Sequence, residues 1–146
     1  MTENCKLGVE SPAVQKHLEI MQGVIARMGE NSRSCKVWCV TLVAATLVLI
    51  ARTGEPRHAL IALVPTLLFL FLDTYYLTLE RAFRRSQSAF VAKLHENELK
   101  RTDIFKVVPA EMGRRLIVRS LLGSTSILPF YLSVTATVLL AWLVIL

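Results

Sequence analysis

The chain has 146 residues and a net charge of +6, with 53% hydrophobic and only 19% charged residues. A soluble domain carries about a quarter of charged residues, and here the apolar residues fall in three blocks instead of spreading at core periodicity. This composition excludes a secreted disulfide scaffold and a disordered chain, and it argues against most self-contained enzymes. It predicts an all-α membrane protein.

The first 34 residues are predicted to form an amphipathic cytoplasmic helix. Ser11 followed by Pro12 is typical of a helix start. After this start, apolar residues recur at alternating spacings of four and three, and they form a two-heptad seam on one face of the helix. These residues are Val14, Leu18, Met21, Ile25 and Met28. The seam favours packing on another cytoplasmic helix, and the alternatives are self-association around a symmetry axis and binding to the membrane surface. Its residues are therefore our candidate oligomer contacts.

Residues 35–79 are predicted to form a transmembrane helical hairpin. The uncharged run 37–51 is short for a membrane core of about 30 Å, so the flanking Lys36 and Arg52 would have to extend along the lipid. A polar turn containing glycine and proline follows. The second run, 59–79, is long enough to span and carries a tyrosine pair suited to the interface.

Asp73 is the strongest single indication of a functional site, because placing an ionisable group in a spanning helix costs free energy and usually serves a function. Thr66, Asp73 and Glu80 are spaced seven apart, which places them on one face of the second helix. In an oligomer this stripe would form rings of carboxylates, an arrangement that favours cations in a pore. The alternative is that Asp73 lies at headgroup level and pairs with an arginine such as Arg81 or Arg84.

Residues 80–126 are predicted to form a basic cytoplasmic helical segment, since they contain 10 of the 17 lysines and arginines. The pattern predicts one long helix over about 59–99, a break near 102–103, and a further helix from Pro109. The candidate residues for binding lipid headgroups or another anion are Lys106, Arg114, Arg115 and Arg119. Lipid headgroups are the favoured ligand, and a nucleotide or nucleic acid is the alternative.

The last apolar run, 127–146, is predicted to be the third transmembrane helix. Its Ser133 and Thr137 share roughly one face, which favours contacts with neighbouring helices, with pore lining as the alternative. The excess of basic residues in 80–126 predicts that this segment is cytoplasmic. The expected topology therefore has three spans, with the N-terminus inside and the C-terminus outside.

The sequence predicts no enzyme, metal site or cofactor. The three histidines lie far apart, and no known catalytic or nucleotide-binding motif is present. The cysteines have no zinc-site spacing. We interpret them as packing thiols: Cys5, Cys35 and Cys39.

Two stretches of the chain resemble a known family. One is LEIMQGVIARMGENS at 18–32 with KVWCVTLVAA at 36–45, and the other is LIALVPTLLF at 60–69 with LDTYYLTLERAFR at 72–84. Together they resemble small bacterial membrane proteins of anti-phage defence, notably the transmembrane effector of Hailong-type systems. The resemblance covers roughly the first 85 residues.

This resemblance implies a homo-oligomeric effector of the bacterial inner membrane, with a tetramer favoured, that conducts ions and arrests the infected cell. It also implies control by a partner nucleotidyltransferase and its nucleic-acid product. We therefore expect a triggered ion channel that depolarises the cell. The alternative is a non-conducting subunit that anchors or scaffolds a cytosolic partner.

Overall fold

The computed structural model describes residues 8–53 and 56–145, without the side chains of residues 53, 56, 57 and 145. Cys5, Leu146 and the centre of the predicted polar turn lie outside the described residues. The described parts are helical and contain no strand. Their α-helices are α1 (Pro12–Thr53), α2 (Leu63–His95), α3 (Arg114–Leu122) and α4 (Ile127–Ile145).

Helix α1 begins at Pro12, as the sequence predicts, and continues without interruption for 42 residues. The predicted boundary at residues 34 and 35 is therefore not a break in the helix. The amide groups of Val14 and Gln15 donate to the carbonyl of Ser11, which closes the first turn. At 1.5 Å per residue the helix is about 63 Å long, twice the thickness of a membrane core, so it must project far beyond one.

Helix α2 is shorter than predicted at both ends. A 3-10 helix, Pro56–Ala62, precedes it, and α2 itself begins two residues before Pro65, whose ring nitrogen cannot donate a helical hydrogen bond. The helix ends at His95, before the predicted position near Leu99. Asn97 then adopts a φ of 58°, a left-handed conformation that asparagine tolerates better than most residues.

The connecting segment 96–113 holds one short 3-10 helix, Arg101–Asp103, close to the predicted break. The helix predicted from Pro109 begins instead at Arg114. Upstream, the segment lies against α2, where the Ser86 hydroxyl donates to the Val108 carbonyl at 2.8 Å and the Ala110 amide donates to the Ala82 carbonyl at 3.3 Å. These bonds, together with the restriction that Pro109 places on the preceding residue, favour an extended chain here.

Three of the helices are long and apolar enough to cross a membrane: α1, α2 with its preceding 3-10 turn, and α4. This confirms the predicted all-α class, and it agrees with the prediction of three helices that could span a membrane. Large apolar side chains on the outer faces of these helices are more than half exposed, as expected of a lipid-facing surface: Val48, Leu49, Leu67, Phe71, Leu140 and Val144.

The described residues form two separate buried clusters. The membrane core joins α1, the 3-10 turn and α4 through Cys39, Val43, Ala62, Ile127, Tyr131 and Val138. The distal core lies where the projecting ends of α1 and α2 meet, and consists of Val14, Phe90 and Leu94. Helices α1 and α2 form the most extensive interface in the fold.

The apolar seam of α1 packs against other residues of the same chain. Val14, Met21 and Ile25 are buried, and Leu18 and Met28 are half-buried. Val14 packs with Phe90 and Leu94 of α2, which agrees with the interpretation that this helix packs on another helix of the same chain. Contact of these seam residues with a second copy of the chain stays a prediction, and Leu18 and Met28 keep part of their surface uncovered.

Candidate intramembrane charge site

Asp73 of α2 is completely buried, with 0% of its surface exposed, and α1 supplies its partners. The Ser32 hydroxyl donates a hydrogen bond to Asp73 Oδ1. Lys36 Nζ lies 2.6 Å from Asp73 Oδ2 and forms an ion pair with it, although the contact lacks the angular geometry of a hydrogen bond. The carboxylate is therefore neutralised by an ammonium group and held by a hydroxyl.

The helical spacing of α1 explains why both partners reach the same carboxylate. Ser32 and Lys36 are four residues apart, so they lie on one face of the helix. Lys36 Nζ also donates to Ser32 Oγ at 3.4 Å. The Lys36 side chain is only 18% exposed, which makes this a largely desolvated ion pair.

The third spanning helix reaches the same place through Tyr131. This residue is 4% exposed, and its ring packs edge-on against Phe130. Its hydroxyl oxygen is buried near Asp73 and has no hydrogen-bond partner among the described residues. All three spanning helices thus contribute a polar side chain to one buried position.

The predicted stripe on α2 faces α1. Thr66 is 2% exposed, and its hydroxyl donates to the Ala62 carbonyl at 2.9 Å. Glu80, half-buried, lies beside α1 near Gly29 and pairs with Arg84 at 2.8 Å. The three residues share one face, as their spacing predicts, but within a single chain that face is packed against a helix instead of lining an open path.

The partner of Asp73 differs from the arginines that the headgroup interpretation named. Arg81 donates to the Arg119 carbonyl at 3.1 Å and to the Ser120 hydroxyl at 3.2 Å, and Arg84 pairs with Glu80. Both arginines lie at least two helical turns beyond Asp73, whereas Lys36 lies opposite it on α1. The headgroup pairing is therefore wrong for this structure.

The Ser133 and Thr137 hydroxyls of α4 lie on its exposed side. Ser133 donates to the Pro129 carbonyl at 2.8 Å, and Thr137 donates to the Ser133 carbonyl at 2.9 Å, so each bonds to its own helix. Both side chains are exposed and border an apolar groove between α4 and α1, next to Val40 and Ala44. Contact with a neighbouring helix of another chain, or with a pore, stays a prediction for them.

The predicted basic set is divided between two places. Lys106 lines a cleft beside the distal core, together with His17, Lys93 and Asp103. The other three members lie on α3, and they are Arg114, Arg115 and Arg119. The four residues therefore do not form one anion site.

Sequence reasoning missed Ser32, Lys36 and Tyr131 as members of the buried site. Lys36 was assigned to the flank of a short span, where it would extend towards water. Lys36 lies one turn after Ser32, on the helix that precedes the span containing Asp73. This spacing could have indicated a polar pair that faces Asp73. Tyr131 gave no signal of its own, because a tyrosine near a span end is common at membrane interfaces.

In residues 8–53 and 56–145, no group of three or more histidine, cysteine, aspartate or glutamate side chains could hold a metal ion. Cys35 and Cys39 are buried free thiols. Comparison of the chain with protein-family models, curated proteins and solved structures finds no match. The geometry around Asp73 is therefore the main basis for a functional proposal.

Proposed function

We propose that this chain is the subunit of an oligomeric ion channel, and that separation of α1 from α2 at the Lys36–Asp73 pair opens it. The observation that carries the proposal is the ion pair itself. A completely buried carboxylate and a largely buried ammonium group lie between helices that are otherwise apolar enough to span a membrane.

Stability alone gives little reason for such a pair. A buried ion pair is often no more stabilising than apolar residues of the same volume, because both charges lose their hydration. Ionisable residues inside spanning helices commonly mark ion pathways or relays. A pair that joins two spanning helices also has two natural states, closed when the charges touch and open when water hydrates them.

The carboxylates of α2 lie on the face that packs against α1, so α1 is the helix that has to move for the channel to open. Moving α1 away from α2 would uncover Thr66, Asp73 and Glu80 together, because all three share the face that packs against α1. Repeated around an axis, these groups would favour cations. The membrane core of one chain is filled with side chains, so a conducting path requires several chains.

The biological setting is proposed from the family resemblance. In a Hailong-type system the channel would reside in the bacterial inner membrane as a homo-oligomer, with a tetramer favoured. A partner nucleotidyltransferase and its nucleic-acid product would control it. Opening would depolarise the infected cell and stop phage propagation.

A second function, that of a non-conducting membrane anchor for a cytosolic partner, is favoured by one observation. Asp73 is already paired within the chain, as expected if the charges only fasten α1 to α2. In that case the site would have no open state. Conduction measurements separate the two functions.

The test uses the purified full-length protein in liposomes, with single-channel or flux recording, beside dye measurements of membrane potential in bacteria that express it. Lys36→Gln should raise open probability, because it weakens the closed pair, and Asp73→Asn should reduce the preference for cations. Asp103→Asn is the matched control, since it removes a carboxylate outside the spans. Absence of current from monodisperse wild-type protein and from Lys36→Gln alike would favour the anchor.

A further inference from the structure

A second polar feature lies at the end of the spans, where α2 and α3 meet. Four arginines from these two helices surround a cleft of ≈ 410 Å³ that also touches Leu116 and Gly123. Three of the arginines come from α2 and one from α3, and they are Arg81, Arg84, Arg85 and Arg119. The sequence did not indicate this grouping, because it suggested Arg81 and Arg84 only as partners of Asp73 and as part of the basic excess of residues 80–126.

The cleft is strongly positive. Glu80 neutralises Arg84 through contacts of 2.8 and 2.9 Å. Arg81 is fixed by its bonds to the Arg119 carbonyl and the Ser120 hydroxyl, which are neutral acceptors. Arg85 and Arg119 have no carboxylate partner among the described residues, so their guanidinium groups are available to a ligand.

The depth of the cleft relative to the membrane follows from the apolar runs of α2 and α4, which lie next to it in the sequence. Arg81 follows the apolar run of α2 by two residues, and Gly123 precedes the apolar α4 by four. The cleft therefore lies at the boundary between membrane and water, whichever way the chain is oriented. Phospholipid headgroups occupy this depth.

Backbone geometry keeps one wall of the cleft open. Gly123 ends α3, and its amide donates to the Arg119 carbonyl at 3.0 Å. A Cβ at this position would lie 2.8 Å from that same carbonyl oxygen, so a side chain here would displace the backbone that carries Arg119.

We propose that this cleft is a binding site for a phosphate group in a molecule of net negative charge. Guanidinium groups bind phosphate oxygens through paired, charge-assisted hydrogen bonds, and several arginines around one cleft suit such a ligand. The phosphate could be carried by an anionic phospholipid or by a soluble molecule, and the chemistry of recognition is the same. The proposal is independent of conduction, because the site contains none of the residues that pair Lys36 with Asp73.

The test measures binding to full-length protein in a neutral detergent, by native mass spectrometry and by thermal stabilisation. The probes are phosphatidylglycerol, phosphatidylcholine and inorganic phosphate. Arg85→Gln and Arg119→Gln should each weaken binding about fivefold, and the double variant about 25-fold, from the usual contribution of one arginine near a membrane surface. Arg85→Lys, which keeps the charge but loses the paired geometry, should retain part of the binding.

The matched control is the double variant Arg27→Gln and Arg101→Gln, which removes the same charge from exposed positions elsewhere. Selective binding of phosphatidylglycerol that only the cleft variants lose would support the site with lipid as its source. Binding of inorganic phosphate with the same pattern would support it with a soluble source. Equal losses in the cleft and control variants, or no preference for any phosphate anion over phosphatidylcholine, would overturn the proposal.

Discussion

Helices α1 and α2 meet in two regions of the molecule, and the two regions use different chemistry. In the spanning region, α1 and α2 meet through the Lys36–Asp73 pair, inside an otherwise apolar body. At the distal core they meet through apolar side chains and one histidine, His17, whose ring packs against Phe90 at a tilt of 43° with ring centroids 4.3 Å apart. Between α1 and α2, the buried ion pair thus lies in the apolar spans, and the cluster of Val14, Phe90 and Leu94 lies at their projecting ends.

This contrast has a physical basis. Two apolar helices gain little from burying apolar surface in lipid, because lipid tails are as apolar as the side chains. Polar contacts then distinguish the correct pairing of helices from the incorrect ones. In water, burial of apolar surface is itself favourable, so the projecting ends need no buried charge.

The largest effect is expected from leaving Asp73 without its cation. Lys36→Met should lower the free energy of unfolding by about 3–5 kcal/mol, the usual cost of an uncompensated buried charge. The measurement is reversible unfolding in mixed micelles. The double variant Lys36→Met and Asp73→Leu should recover most of the loss, and a double variant as unstable as the single one would contradict the pairing.

The next largest effect is expected at the distal core. Phe90 is 6% exposed, and Phe90→Ala should destabilise the protein by about 3 kcal/mol through the lost ring and the remaining cavity. Phe105→Ala is the matched control, because that ring is 60% exposed and should cost less than about 1 kcal/mol. Similar losses for the two variants would mean that the distal core is not a packed unit.

A smaller effect, dependent on pH, is expected from His17. Its ring is buried, and Nδ1 accepts a hydrogen bond from the Phe105 amide at 3.0 Å. Burial lowers the pKa of His17 below its ordinary value of 6.5. Below pH 6.5 the unfolded chain therefore binds a proton more readily than the folded one, and stability falls by at most about 1.4 kcal/mol per pH unit until the folded pKa is reached.

The His17 prediction is checked by thermal unfolding across this pH range, with His17→Gln beside the wild type. The other charged side chains that line the same cleft, Lys93, Asp103 and Lys106, are present in both proteins, so the comparison isolates the contribution of His17. The variant should lose the part of the pH dependence that begins near 6.5. An unchanged profile would show that His17 contributes none of it.

Features of the fold and of the charge site could be predicted from the sequence where they depend on neighbouring residues, and could not where they depend on residues far apart in the chain. The helix start at Pro12 and the shared face of Thr66, Asp73 and Glu80 follow from local spacing, and the structure confirms both. The partner of Asp73 lies 37 residues away on another helix. The periodic spacing of residues within one helix does not indicate which residue of another helix they will contact. The late start of α3 depends in the same way on bonds from the connecting segment to α2.

The smallest effect is expected from an exposed pair on the projecting part of α1, and it gives the sharpest contrast with Asp73. Lys16 Nζ lies 2.7 Å from Glu19 Oε2, nearly the same separation as in the buried pair. Both side chains are about two-thirds exposed, at 64% and 67%, so water and salt screen the attraction. Lys16→Gln should leave the unfolding free energy unchanged within error at physiological salt. A loss comparable to that of Lys36→Met would mean that distance alone, and not removal from water, determines what an ion pair contributes to this fold.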